Sequence, residues 1–156
     1  MDRIIGIGEY VTTNAPQDVI KTYALASCVA VTIYNPVIHL AGMIHIALPN
    51  PSDLQETLRR PGYYATTGIP ILVDQLCRKY GSQRKDLQVK IFGGAVSIRT
   101  DDYFNIGPKN IKAVREILLG MDLKILDAYI GGEISRSITM SVRTGNIEVI
   151  TLPFNF

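Results

Sequence analysis

Cysteine and histidine are both rare in this chain, and one of each lies in an apolar segment. Among two cysteines and two histidines in 156 residues, Cys28 follows Leu25-Ala26-Ser27 and His45 follows Gly42-Met43-Ile44. A thiol beside an imidazole can form a nucleophile, because the ring accepts the thiol proton and stabilises the thiolate. Cys28 and His45 are therefore candidate catalytic residues.

A β-hairpin is the element that could bring the two side chains together. The run from Cys28 is rich in β-branched and aromatic residues, Pro36 opens a turn, and an apolar run containing His45 follows. A four-residue loop over 35–38 places Cys28 directly opposite His45, with their Cβ atoms about 4.5–5.5 Å apart. One more loop residue or a bulge would shift this pairing.

The same residues also fit purely structural roles. A free cysteine in an apolar run commonly packs as a small hydrophobe, and a strand histidine can be a satisfied core residue. Cys77 shares a helical stripe with apolar neighbours and is expected to be core packing, and His39 is expected to be a solvated turn residue.

Composition favours one compact domain over residues 1–156. Apolar residues make up 47% of the chain and charged residues 19%, and the formal net charge is +2. Scattered Lys and Arg argue against a nucleic-acid surface, and no apolar run is long enough to insert into a membrane. The first residues do not resemble a signal peptide, so we expect a cytoplasmic protein with reduced thiols. No Cys/His spacing indicates a metal site.

Periodicity and turn residues predict a mixed α/β (α+β type) layered sandwich with two principal helices. We expect a first strand over 4–11, a loop or short helix over 53–62 as a candidate mobile flap, and a first long helix over 63–80. Pro70 is expected to interrupt that helix or mark its true start. Further predicted elements are strands over 87–92 and 123–130, a second helix from Gly107-Pro108 to Gly120, and a final hairpin over 137–152.

Two diglycines, Gly93-Gly94 and Gly131-Gly132, directly follow predicted strands. Glycine permits close approach of backbone or substrate, and successive N–H groups can form an anion-binding concavity, although diglycines are also ordinary turns and bulges. Asn110, near the start of the second helix, is expected to cap it or to hydrogen-bond across to a loop, a structural role.

Thr22 precedes Cys28 by six residues. Alternation along an extended strand would place both on one face, where the threonine hydroxyl or carbonyl could orient His45.

The chain resembles the chemoreceptor glutamine deamidase family, CheD, over nearly its whole length. The residues that carry the likeness are Thr22, Ala26-Ser27-Cys28-Val29, Gly42-Met43-Ile44-His45, Leu48-Pro49, Lys90-Ile91-Phe92-Gly93-Gly94-Ala95, Ile106-Gly107, Asn110, Gly131-Gly132 and Gly145. Two departures are Ala26, where the family commonly has glycine, and the segment over 61–67, which replaces the family's usual residues before the first helix.

The resemblance implies hydrolytic deamidation of specific glutamines on the cytoplasmic helices of methyl-accepting chemoreceptors. It implies Cys28 as nucleophile, His45 as general base and acid, and Thr22 as the residue that positions His45. Ser27, Gly93 and Gly94 are candidates for substrate binding or the oxyanion hole, for which the Cys28 N–H and a glycine-loop amide are the expected donors. The enzyme would be a cysteine-dependent amidohydrolase of the protein-glutamine glutaminase type, without metal or organic cofactor. Some members also hydrolyse the glutamyl ester.

The family is further associated with a CheC-type phosphatase as partner, and its fold is similar to that of the cytotoxic necrotising toxin deamidases. Two other functions remain open. One is a non-catalytic chemotaxis adaptor that binds receptors or the phosphatase through the same surface. The other is a cysteine protease or acyl-hydrolase.

Overall fold

The computed structural model describes residues 1–96 and 104–153. Its strands are β1 (Asp2–Ile4), β2 (Tyr10–Thr13), β3 (Val19–Leu25), β4 (Val29–Asn35), β5 (Leu40–Ile46), β6 (Gln88–Gly93), β7 (Ile125–Ile130), β8 (Ile134–Ser141) and β9 (Ile147–Pro153). Its helices are α1 (Leu54–Arg59), α2 (Ala65–Asp74), which continues as a π-helical turn over Gln75–Lys79, and α3 (Ile106–Gly120), with short 3₁₀ turns at Pro61–Tyr63 and Arg84–Asp86.

The strands form two mixed sheets. The five-stranded sheet has the order β2-β5-β4-β6-β7, and the four-stranded sheet has the order β1-β3-β8-β9. Only the β1–β3 and β6–β7 pairs are parallel within the described residues. The predicted mixed α/β sandwich with few helices is therefore confirmed.

The molecule has three layers, which are the helices, the five-stranded sheet and the four-stranded sheet, and a hydrophobic core lies between each adjacent pair. One core packs α2 and α3 against one face of the five-stranded sheet, and the other fills the space between the two sheets. Every residue of β4 and β5 is buried, because both faces of these central strands are covered. A side chain that leaves β5 toward the four-stranded sheet is consequently enclosed between sheets.

The single first strand predicted over 4–11 is wrong. β1 ends at Ile4 in one sheet and β2 begins at Tyr10 in the other, and Gly8 between them has a φ of 81°. The Gly8 N–H donates to the carbonyl of His45, and the N–H of His45 donates to the carbonyl of Glu9. The chain thus crosses between sheets directly over the strand that carries His45.

The first long helix is confirmed with changed bounds. It begins at Ala65, and Pro70 lies within it without ending it. The preceding polar segment contains the short helix α1, which Asp53 caps by accepting the N–H of Glu56. The mobility proposed for that segment stays a prediction.

Candidate active site

The β4–β5 hairpin carries His45, but its register differs from the predicted one. Asn35 pairs with Leu40, so the loop spans residues 36–39, and His45 pairs with Ala30 instead of Cys28. The loop begins one residue later because the Asn35 side chain accepts the N–H of Val37, which completes the turn while the backbone of Asn35 stays in the strand.

The observed partner of His45, Ala30, is two residues from the predicted partner, Cys28. Cys28 and His45 therefore still lie on the same face, as predicted. Successive residues of a strand alternate between faces, so Cys28, two residues before Ala30, lies diagonal to His45. Cys28 immediately precedes β4 and is half-buried, whereas His45 is 2% exposed. The structure thus places a partly accessible thiol directly before the central strand β4, on the same face as the enclosed imidazole.

Thr22 on β3 determines which nitrogen of His45 carries the proton. Its hydroxyl oxygen lies 2.8 Å from the carbonyl oxygen of Ile5 and 2.7 Å from Nδ1 of His45. A carbonyl only accepts, so the single hydroxyl proton goes to Ile5, and Nδ1–H of His45 must donate to the threonine oxygen. The neutral ring therefore has an unprotonated Nε2. This atom is buried and has no hydrogen-bond partner among the described residues, Cys28 included.

Burial keeps both reactive groups neutral at rest. Desolvation lowers the pKa of His45 from 6.5 to about 4. Desolvation also raises the pKa of the Cys28 thiol. The site therefore holds a neutral thiol and a neutral imidazole, not a preformed thiolate–imidazolium pair.

Residues 26–28, which we call the elbow, connect β3 to β4 and are held at three consecutive carbonyls. The carbonyl of Ala26 accepts from Ala95 N–H at 2.7 Å, and that of Cys28 accepts from Gly94 N–H at 2.9 Å. The carbonyl of Ser27 accepts from Nδ2 of Asn110 at 2.9 Å. The backbone around Cys28 is therefore held by hydrogen bonds at the two preceding residues and at Cys28 itself.

Gly93 allows the close approach on which this arrangement depends. A Cβ at Gly93 would lie 2.2 Å from the carbonyl oxygen of Cys28, and the residue has a φ of 105°. The second diglycine supports the first, because Gly131 N–H donates to the carbonyl of Gly93. The first diglycine thus shows the close backbone approach that was one of the expected roles, whereas a Cβ at Gly131 would meet nothing within 4 Å, which fits the alternative of an ordinary turn.

The candidate oxyanion donors differ in whether their N–H groups already have a hydrogen-bond acceptor. The N–H of Gly94 is engaged by the carbonyl of Cys28, whereas the N–H of Cys28 donates to no other described residue. Ser27 is half-buried, and its backbone carbonyl accepts from Asn110. Of the proposed amides, the one on Cys28 has no hydrogen-bond acceptor among the described residues.

Alternation does not link Thr22 to Cys28, although Thr22 does contact His45. β3 carries a bulge between Thr22 and Leu25, and Ala24 within it has a φ of 58°. The N–H of Ala24 donates to the Ser137 hydroxyl, so tertiary contacts hold this left-handed residue. No residue type in the sequence signalled the bulge.

The other singled-out residues lie where their types suggested. Cys77 packs half-buried against the helix-side core, and His39 is exposed in the hairpin turn. Asn110 is fully buried, and its bond to Ser27 confirms the expected hydrogen bond from the helix to a loop. A contact of Asn110 with the His45 side of the site was not foreseen: Nδ2 also donates to the carbonyl of Ala47.

The buried neutral imidazole makes folding sensitive to mild acid. In the unfolded chain His45 titrates near 6.5, so below that pH the unfolded state binds more protons, and stability falls until the folded value of about 4 is reached. We expect the free energy of unfolding to drop by about 2 kcal/mol between about pH 7 and pH 5 from this group. Urea denaturation at the two pH values measures it.

Two histidine variants control for this effect. His45→Gln should lose most of the pH dependence, whereas His39→Asn should keep it, because His39 is exposed and asparagine tolerates its φ of 52°. An unchanged dependence in His45→Gln would refute the assignment.

Comparison with solved structures supports the fold. The protein is similar to the crystal structure of the hypothetical protein YfiH from Bacillus licheniformis, with a TM-score of 0.51 and 17% identity over 80% of this chain. It is also similar to YlmD from Geobacillus stearothermophilus, with a TM-score of 0.50 and 15% identity over 80% of this chain. The chain spans 49% of each of those structures. The likeness to toxin deamidases stays a prediction.

Among the described residues, no helix combines the length and apolarity needed to cross a membrane.

Comparison with sequences identifies the family. The chain is 41% identical over 150 residues to the probable chemoreceptor glutamine deamidase CheD of Syntrophotalea carbinolica, covering 95% of this chain and 93% of the relative. It is 38% identical over 149 residues to the chemoreceptor glutamine deamidase CheD of Thermotoga maritima, covering 96% and 91%. The family model described as CheD chemotactic sensory transduction matches residues 47–151. The chain therefore belongs to the CheD family.

Proposed function

We propose that this protein deamidates glutamine side chains of chemoreceptors to glutamate, with Cys28 as nucleophile. The names of the relatives supply the substrate class and the reaction. One structural observation supports the chemistry most directly. Thr22 sets His45 in the Nδ1–H form, so Nε2 is a buried base without a hydrogen-bond partner among the described residues, on the face shared with Cys28.

The acylation step uses the neutral resting pair. Nε2 of His45 takes the thiol proton of Cys28 as sulfur attacks the carboxamide carbon of the glutamine, forming the C–S bond and a tetrahedral oxyanion. The N–H of Cys28 is the donor we assign to that oxyanion. His45 then delivers its proton to the departing nitrogen, the C–N bond breaks, and ammonia leaves a thioester.

Deacylation regenerates the enzyme. His45, again neutral, takes a proton from water as the water oxygen attacks the thioester carbon. The C–S bond breaks, the proton returns to the Cys28 sulfur, and a glutamate side chain is released. Atoms balance with one glutamine and one water consumed, and one glutamate and one ammonia formed, so the step requires no cofactor. Hydrolysis of a glutamyl ester would follow the same path with an alcohol as leaving group.

The proposed partners follow from the family. The protein substrate is the cytoplasmic helical region of a chemoreceptor, and a CheC-type phosphatase is a further candidate partner. The half-buried position of Cys28 at the edge of the sandwich is compatible with a side chain reaching it from a separate protein surface.

Mass spectrometry of receptor cytoplasmic fragments tests the proposed function. After incubation with the purified protein, we expect individual glutamines to become glutamates while the peptide backbone stays intact. Unchanged glutamines together with stable receptor binding would contradict deamidation and favour the adaptor. Backbone cleavage would instead indicate a protease.

A further inference from the structure

Asn110 joins the two halves of the candidate site. The β4–β5 ladder ends at the pair Val29–Ile46, so the elbow and the end of β5 have no strand pairing to each other beyond it. At this point Nδ2 of Asn110 donates at 2.9 Å to the carbonyl of Ser27 and at 2.9 Å to the carbonyl of Ala47. One amide thus bridges Ser27, the residue before Cys28, and Ala47, the residue that directly follows the strand carrying His45.

The other elbow contacts do not make this connection. Gly94 and Ala95 donate to the elbow from the segment after β6, which lies on the opposite side of β4 from β5. Among the described side chains, Asn110 is the one that hydrogen-bonds both to the elbow and to the end of β5. The separation between Cys28 and His45 therefore depends on Asn110 more than on Gly94 and Ala95.

The orientation of the Asn110 amide is settled by its partners. Both partners are carbonyls, which only accept, so both N–H groups of Nδ2 are used. Oδ1 is then left buried without a hydrogen-bond partner among the described residues, which costs stability. The side chain keeps its two donors on the site even though its oxygen is unsatisfied.

Asn110 lies on helix α3, whose first turn is closely packed. A Cβ at Gly107 would lie 2.2 Å from the carbonyl oxygen of Ala95, so this turn lies directly against the segment that follows β6. Asn110 is three residues later and points to the same side of the helix. Groups held on a packed helix are positioned more exactly than groups on a loop.

We infer that Asn110 is a positioning residue that holds the elbow and the end of β5 together and so fixes the separation between the Cys28 thiol and Nε2 of His45, which are not hydrogen-bonded to each other in this structure. The inference rests on the proposed function for its consequence in catalysis. Its test uses the thiol itself and needs no receptor.

The experiment measures alkylation of Cys28 by iodoacetamide as a function of pH, with peptide mass spectrometry to separate Cys28 from Cys77. We expect Asn110→Ala to slow alkylation at neutral pH by about 10-fold to 100-fold, because small displacements of reacting groups have effects of this size. Its pH profile should approach that of His45→Gln. In the double variant with His45→Gln, Asn110→Ala should add almost no further loss, because both changes remove the same coupling.

A matched variant separates positioning from stability. Ser82→Ala also breaks a buried asparagine hydrogen bond, the one from Nδ2 of Asn35 to the Ser82 hydroxyl, but at the opposite end of β4, and it leaves the bond from Val37 N–H to Asn35 in place. It should lower the melting temperature without changing the Cys28 profile. Asn110→Ser, which can donate to one carbonyl only, gives a milder variant if the alanine protein does not fold, and an intermediate loss is expected.

Three results would overturn the inference. These are unchanged alkylation in the Asn110 variants, an equal loss in the His45→Gln background, or an equal change in Ser82→Ala. Failure of deamidation in all proteins, with the alkylation pattern intact, would instead refute the proposed function and leave the positioning role standing. If deamidation does occur, kcat should fall in Asn110→Ala while KM changes little, because the amide acts on the reacting groups and not on receptor binding.

Discussion

Cys28→Ala is expected to lower the deamidation rate by about 10⁴-fold or more, because removal of a covalent nucleophile leaves only binding and oxyanion stabilisation. Sulfur is the one atom lost, and Cys28 is half-buried at the start of β4, so the fold should be retained. Ammonia release from a receptor fragment measures the rate, and circular dichroism checks the fold.

Cys77→Ala is the matched control. Cys77 is also a half-buried free thiol, but it packs against the core between the helices and the five-stranded sheet. Its replacement should cost some stability and leave the rate per folded molecule near that of the wild type. A Cys28→Ala protein that still releases ammonia at the wild-type rate would exclude the thioester mechanism.

The second large effect concerns the base. His45→Gln is expected to lower kcat by about 10³-fold, within the usual range for loss of a general acid and base. Glutamine keeps a polar side chain facing Thr22 but cannot carry the proton from sulfur to the leaving nitrogen. A rate close to the wild type would show that Cys28 reacts without His45.

The pH dependence of kcat/KM sharpens this prediction. His45 must be neutral to accept the thiol proton, so the wild-type rate should fall with decreasing pH through the His45 pKa of about 4. This acid limb of the pH–rate profile therefore lies below the ordinary range of histidine pKa values, because burial disfavours the imidazolium. His45→Gln should lack this limb, whereas His39→Asn should keep it. An acid limb near 6.5 in the wild type would contradict the burial of the base.

Much of the local structure could be predicted from residue types. The β-branched run after Cys28 and the turn at Pro36 correctly predicted a hairpin, and the helical stripe around Cys77 correctly predicted a packed helix. The register was wrong, because the side chain of Asn35 forms part of the turn while its backbone stays paired. The first strand was wrong because a sheet change near Gly8 depends on contacts with distant β5.

The candidate reactive groups were identifiable from residue types and their order in the chain. Cys28 and His45 were recognisable because their types are scarce and their strands alternate, and a hairpin keeps both on one face even when its register moves by two residues. The family resemblance added Thr22 and the reaction class.

The protonation states of these groups depend on contacts between distant parts of the chain. The tautomer of His45 depends on a hydroxyl from β3 that is itself committed to the carbonyl of Ile5, and its low pKa depends on enclosure between two sheets. The bridging role inferred for Asn110 depends on two carbonyls far from it in sequence. Hydrogen-bond partners and desolvation are set by residues remote in the chain, so local residue patterns do not encode them.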